Sequence, residues 1–423
     1  MQTDTIKKQK ADRIYYFDWL RTGAFIIVVL IHCIHMFSEL YITRTGMPAF
    51  ITNEGEAYAL SFVAQWCMAL YFLLAGASTW LTLRRKGPRQ FIQDRVRRLL
   101  VPLVVGFVLL VPLQTYFEMV SNGQYTGTLL LFYPYFLESI FFAGKFSLMV
   151  TSIHHLWFLL YLFCISLLAL PLCLYLRSEQ GQRWIKRLVK LCCEQPAGIV
   201  VLALPIAVIQ ITLRASFPVY CSLTDIVCWL LVYMYGYILF ADPRFRLIIQ
   251  RQGKVALIIG SSGFMLILLV WKAGLLHNYD VQPDYSVGCL LFQVLFSLLL
   301  WSWLLVTLAS ADQYLNVGNS WLKYGSEASF SWYLLHFPVV VVVAYYILPL
   351  QLNVLASFAL IGPGSLMLTF VLTDLLYVKL HGMRTLWQTW MQPTLTRRFS
   401  GQHLNFPAHQ PQFGRVITGK LDG

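Results

Sequence analysis

Ten stretches of about 20 predominantly apolar residues follow one another along the chain, at approximately 19–38, 58–83, 99–120, 155–176, 197–216, 222–240, 255–276, 286–309, 329–350 and 354–378. A helix needs about 20 such residues to cross the ~30 Å hydrocarbon core of a bilayer. Inside lipid only helices and closed barrels satisfy every backbone N–H and C=O. The pattern therefore predicts an all-α, polytopic membrane bundle of about ten helices. A water-soluble core does not hold so much apolar surface, because single cores stop growing at roughly 250–300 residues. Here 58% of 423 residues are hydrophobic and 12% are charged. A mean hydropathy of +0.63 excludes an ordinary cytosolic enzyme, a disordered chain and a disulfide-stapled secreted domain. The 15% aromatic content suits two interfacial belts.

Ten spans place both termini on one side. The loops on that side, 1–18, 84–98, 177–196, 241–254, 310–328 and 379–423, hold 27 of the 32 Lys and Arg residues. The other side and its helix ends hold Arg44, Lys145, Arg214 and Lys272, and Arg21 lies inside the first span. By the positive-inside rule both termini are cytoplasmic. The same distribution accounts for the net charge of +13 without nucleic acid, since no aromatic-interleaved binding motif accompanies the basic blocks. Residues 7–38 have the basic start of a secretory leader, but Arg21, His32 and His35 interrupt the apolar run and no small-residue cleavage site follows cleanly. An uncleaved first helix is expected. The nine cysteines contain no C-x-x-C and sit mostly in apolar runs, with Cys192 and Cys193 adjacent in a basic loop. They read as small buried hydrophobes, not a disulfide framework. The tail 392–423 is polar and is expected to be poorly ordered.

The informative residues are ionisable groups at membrane depth, which are costly there and default to function. The first helix carries Asp18, Arg21, His32 and His35. Arg21 and His32 are eleven residues apart. Eleven steps of about 100° return almost to one azimuth, about 16 Å further along the axis. Asp18, one turn before Arg21, can pair with it. His32 then stands about 21 Å above Asp18, roughly two-thirds of the way across the core. Arg95 and Arg98 lie one turn apart in RRKGPRQFIQDRVRRLLVP, 84–102. They read either as a topology anchor on anionic lipid or as a phosphate clamp. HHLWFLL at 154–160 adds His154, His155 and Trp157 near the outer start of the fourth span. EASFSWYLLHFPV at 327–339 places His336 a third of the way into the ninth. Either histidine site reads equally as a satisfied core group or as function. No metal, P-loop, nucleophile-elbow or dinucleotide motif is present.

D-W-L-R at 18–21 with Arg21-x10-His32, FLLAGAST at 72–79 followed by the arginine segment, HLWFLLYL at 155–162 and SFSWYLLHFPV at 329–339 occur in this order. Together they resemble the acyltransferase 3 family of polytopic membrane O-acyltransferases over 15–390. The overall spacing and the HLWFLL segment are most similar to the branch that succinylates periplasmic glucans. The resemblance implies a basic N-terminus at 1–18, a membrane acyltransferase domain at 19–378 and a basic cytoplasmic tail at 379–423. It also implies a place in the bacterial inner membrane. Some relatives append a hydrolase-like periplasmic domain; none is visible here, so transfer is expected to finish within the membrane domain.

On this resemblance no cofactor is bound and acyl-CoA, as succinyl-CoA or acetyl-CoA, is the cosubstrate. The partners are membrane lipid and a saccharide acceptor on the periplasmic side, with no nucleic acid. His32 acts as general base on a sugar hydroxyl, or as the nucleophile of an acyl-histidine intermediate. Arg21 with Asp18 orients the donor, and Arg95 and Arg98 take the CoA phosphates. His155, Trp157, Arg214 and His336 are candidates for the acceptor or the acyl group. A succinyl carboxylate in a low-dielectric tunnel needs a cation, with Arg214 preferred to Lys272. The rival class is a transporter or flippase of a lipid-linked saccharide, which has no need of Arg21-x10-His32.

Overall fold

The computed structural model describes residues 14–45, 54–141, 153–219, 222–274 and 282–379. Lys145, Cys221, residues 1–13 and the tail from 380 lie outside the described residues, as does the side chain of His35. Every contact given below falls within the unit Met1–Leu375; Leu376–Gly423 form a second unit.

All regular structure among the described residues is helical. The helices are α1 Tyr15–Thr45, α2 Glu54–Leu83, α3 Pro88–Arg95, α4 Val101–Leu109, α5 Val111–Ser121, α6 Leu129–Phe141 and α7 Trp157–Leu176. They continue with α8 Glu179–Glu194, α9 Ala203–Leu213, α10 Leu223–Ala241, α11 Arg244–Lys272, α12 Val287–Tyr314, α13 Ser320–Ile347 and α14 Val354–Lys379. Nine segments of the described residues are long and apolar enough to cross a membrane. The tenth expected span, 197–216, is a shorter apolar helix, Gly198–Leu213. The chain is an all-α polytopic membrane protein.

Local chemistry explains the boundaries. Ser178 caps α8 by accepting from Gly181 N–H at 3.2 Å, and Asn319 caps α13 through Leu322 N–H at 2.7 Å. Ser222 and Asp225 form a reciprocal capping box on α10. Between α3 and α4 the helix widens to a π turn at Val96–Leu100, where Val101 N–H reaches back five residues to the Val96 carbonyl. Pro102 explains the widening: it has no N–H for the Arg98 carbonyl, so the ladder shifts register there.

Two segments depart from the expected loops. Residues 179–194 form α8, because Gly181, Ile185, Val189 and Cys192 recur at helical spacing and bury one face. Cys192 therefore lies in the interior, and only Cys193 of the pair is exposed. Cys164, expected to be buried, is also exposed. A full-length apolar helix presents one face to lipid, so an apolar run does not bury each of its residues. The second departure is α6, whose 13 residues are too few to span and which leaves Leu130 and Leu131 exposed.

Helices α2 and α10 meet backbone to backbone. A Cβ on Gly76 would meet the Tyr233 carbonyl, and one on Gly236 would meet the Leu73 carbonyl. Two glycines facing each other's backbone let the helices touch main chain to main chain, as small residues do inside membranes. Phe72 stacks on Trp229 across the same seam, with ring centroids 5.4 Å apart. Helices α1 and α13 run side by side. Asp18 accepts from Ser326 at 2.8 Å near their starts, and Phe25 stacks on Trp332 further along at 5.6 Å.

Candidate active site

Two polar layers occupy the bundle interior, one near the starts of α1 and α13 and one about halfway along them. In the first, α2 carries the adjacent hydroxyls Ser78 and Thr79 near its end, and each holds an arginine. Arg21 of α1 donates to Ser78 Oγ at 2.5 Å, and Arg95 of α3 donates to Thr79 Oγ1 at 2.8 Å. The Arg95 guanidinium also lies 4.7 Å from the Phe91 ring centroid. Tyr233 of α10 shares a hydrogen bond with Thr79, and Tyr71 donates to the Arg21 carbonyl at 3.2 Å. The glycine contact between α2 and α10 is what brings Tyr233 within reach of Thr79. Arg98, in the π turn, is exposed, whereas Arg95 points inward. The two arginines therefore do not line one pocket, and of the pair Arg95 belongs to the interior layer.

The second layer is a cluster of imidazoles around Phe337. The His32 and His336 rings are 5.3 Å apart, and those of His336 and His155 are 5.1 Å apart. Phe337 contacts His32 at 5.2 Å, His155 at 5.3 Å and His154 at 5.8 Å. His155 and His336 are buried, and His32 is partly so. Three elements meet here: α1, α13, and the 3-10 turn His154–Leu156 that opens α7.

Backbone carbonyls fix the tautomer of each neutral ring, because a carbonyl has no hydrogen to give and the facing nitrogen must donate. His32 Nδ1 lies 2.8 Å from the Val28 carbonyl and His336 Nδ1 lies 2.7 Å from that of Tyr333. In both rings Nε2 is then the lone-pair nitrogen. His155 is the reverse: Nε2 donates to the Leu334 carbonyl at 3.3 Å and Nδ1 keeps the lone pair. The Leu334 carbonyl is open to His155 because its helical partner would be residue 338, a proline within α13. Tyr333 closes the set by donating its hydroxyl to the His155 carbonyl. His154 has φ +44°, a left-handed conformation rare outside glycine, and its ring faces Thr115 at 3.4 Å and Glu118 at 3.7 Å.

The sequence-derived candidates divide accordingly. His32, His155 and His336 come together. Arg21 and Arg95 reach neighbouring residues of α2, and Asp18 reaches Ser326. Trp157 packs edge-on against Tyr161 at 5.4 Å on α7. Arg214, at the C-cap of α9, forms a buried pair with Asp225 at 2.6 Å and donates to Gln210 at 2.8 Å. To take a substrate carboxylate it must first exchange Asp225. Ser78, Thr79, Tyr233, Tyr333 and Phe337 were not singled out from the sequence. Ser78 and Thr79 close the segment FLLAGAST and Tyr333 and Phe337 lie within SFSWYLLHFPV, and an adjacent hydroxyl pair inside an apolar run was the available signal. Among the described residues no group of three or more His, Cys, Asp or Glu is arranged to hold a metal ion.

An interior line of arginines, hydroxyls and neutral imidazoles in a helical membrane bundle defines a polytopic protein with a buried polar site for chemistry. The sequence model of the acyltransferase 3 family, described as an acyltransferase domain, matches residues 14–378, and the chain belongs to that family. It is a multi-pass membrane acyltransferase. No curated protein and no solved structure shows significant similarity to it.

Proposed function

We propose that the chain is an acyl-CoA-dependent O-acyltransferase that carries an acyl group from the cytoplasmic side of a bacterial inner membrane to a hydroxyl of a periplasmic saccharide. The observation that carries the reading is the His32 ring: its Nδ1–H is held by the Val28 carbonyl, which leaves Nε2 as an acceptor inside the imidazole cluster. A neutral imidazole fixed in one tautomer is suited to general-base work. Arg21, on the same stripe of α1 about 16 Å away, and Arg95 lie in the layer nearer the basic loops, where a CoA phosphate or pantetheine group enters. The reach of the pantetheine arm carries the thioester from that layer to the histidines.

In this course His32 Nε2 takes the proton of the acceptor hydroxyl as its oxygen attacks the thioester carbonyl. The C–S bond then breaks, and the imidazolium returns the proton to the departing thiolate, giving an ester and free CoA. An acyl-imidazole course places the acyl group on Nε2 first. Purified protein supplied with succinyl-CoA or acetyl-CoA tests both: thiol release dependent on a saccharide and abolished by His32→Ala supports the reading. An acyl adduct on His32 in the absence of acceptor selects the covalent course. No release by the wild type with either donor overturns the proposal.

For the acyl group, the resemblance to the glucan-succinylating branch favours succinyl. One observation favours acetyl instead: Arg214, the preferred partner for a second carboxylate, is already committed to Asp225. The ratio of turnover with the two donors decides between them.

A further inference from the structure

Counting hydrogens in the imidazole cluster leaves two nitrogens over. His336 Nε2 and His155 Nδ1 are both buried and have no hydrogen-bond partner. In a neutral ring both are acceptors, since the other nitrogen of each donates to a carbonyl. The rings are 5.1 Å apart, and His336 is 5.3 Å from His32. Leaving such groups unsatisfied in an interior is costly, so they mark a place for a ligand atom that brings its own hydrogen. The Tyr333 hydroxyl is already used, since it is given to the His155 carbonyl. Phe25 packs edge-on against His336 at 5.7 Å and Phe337 stacks on His155 at 5.3 Å. A carboxylate or phosphate has no hydrogen to offer these nitrogens, and a metal is not supported by the arrangement of ligating groups among the described residues.

We propose that His336 and His155 form a hydroxyl-binding subsite beside His32, which takes a second hydroxyl of the acceptor adjacent to the one that is acylated. The site then recognises a vicinal diol: one hydroxyl gives its hydrogen to His32 Nε2 and reacts, and its neighbour gives its hydrogen to His336 Nε2 or His155 Nδ1 and is held. This rests on the reading of His32 as the base that faces the acceptor. A monohydroxylic acceptor leaves unpaired the nitrogen that the second hydroxyl of a diol satisfies, and is rejected on that account.

Binding without a donor tests the subsite apart from transfer. The full-length protein in detergent is titrated with methyl β-glucoside and with its monodeoxy analogues, and apparent Kd is read from the shift of the thermal unfolding midpoint. At least one monodeoxy analogue is expected to bind the wild type about tenfold more weakly than the parent, the loss of one buried hydrogen bond. His336→Phe fills the volume without an acceptor; it should weaken the parent about tenfold and erase the difference between parent and analogue. His336→Gln, whose carbonyl accepts, should restore part of the difference, and His155→Leu provides the same test at the other nitrogen. Equal binding of parent and all analogues, no binding of the parent, or discrimination that survives both His336→Phe and His155→Leu overturns the subsite. Discrimination without thiol release from acyl-CoA supports the subsite and removes the proposed transfer.

Discussion

His32 and His336 belong to helices that start 305 residues apart, yet their rings are edge-to-face at 5.3 Å. Each ring is anchored by its own helix, His32 to the Val28 carbonyl one turn back and His336 to that of Tyr333. Contact between α1 and α13 therefore brings together two imidazoles already oriented by local backbone.

His32→Ala should abolish measurable transfer, since general-base catalysis typically contributes about 10²–10⁴-fold and a covalent role contributes more. Membrane insertion and yield should be unchanged, because removing a polar group does not hinder a spanning helix. His35→Ala, 300° around the helix from His32, should be milder. The amount of each protein in the membrane fraction checks insertion and yield, and thiol release from acyl-CoA by matched amounts checks transfer; normal acylation by His32→Ala removes the mechanism.

Arg95→Ala and Arg98→Ala should differ. Arg95 is tied to Thr79 and stacked on Phe91, so its loss should lower kcat and stability as well as raise the KM for acyl-CoA. Arg98 is exposed, so its loss should act on the donor KM alone, as a phosphate contact does. Donor and acceptor KM values measured side by side decide this. An unchanged donor KM in the double variant returns both arginines to anchoring the helix at the interface.

Arg214→Met leaves Asp225 buried without its cation. Breaking one partner of a buried pair costs about 3–5 kcal/mol, so the unfolding midpoint should fall markedly. Replacing both, as Arg214→Met with Asp225→Leu, should recover part of it, less the capping box that Asp225 forms with Ser222. A selective loss of succinyl-CoA use with an unchanged midpoint would instead assign Arg214 to the acyl carboxylate.

Gly76→Ala should be among the most damaging small substitutions in the bundle, because the new methyl has the Tyr233 carbonyl in its place. Overpacking of this kind costs about 1–3 kcal/mol or more. It should also lower activity by moving Tyr233 from Thr79. Gly23→Ala has nothing within 4 Å of its methyl and serves as the control, with stability equal or slightly higher. Thermal unfolding of the two variants in one detergent gives the comparison.

Pro338→Ala restores an N–H that returns the Leu334 carbonyl to the helix ladder. His155 then loses its anchor. The variant should be as stable as the wild type or more so, while kcat/KM for the acceptor falls several-fold and the donor KM holds. Unchanged acceptor kinetics would show that the His155 ring is held by other contacts.

The spans were legible in the sequence because lipid imposes one rule on every residue at once: apolar length. Arg21 and His32 were legible for a related reason, since a shared azimuth on one helix follows from spacing alone. What joins different helices was not. Nothing in the spacing of Thr79, Arg95 and Tyr233 says that they meet; their meeting depends on Gly76 and Gly236, whose close approach is a property of two helices together. Arg98 is exposed and sits in a π turn at Pro102, which a regular helix drawn through 95–98 does not contain. Helix α8 was readable from the spacing of Ile185, Val189 and Cys192, but its charge drew it into a loop.

Pro338 gives the imidazole cluster an unusual kind of heredity. The hydrogen on His155 is placed by a hydrogen missing from another helix: because residue 338 cannot donate, the Leu334 carbonyl is open to the ring. The proton inventory of the site is thus encoded partly by an imino acid that touches no substrate. Two chains with identical histidines but different residues at this position would differ in what sets the tautomer of that ring.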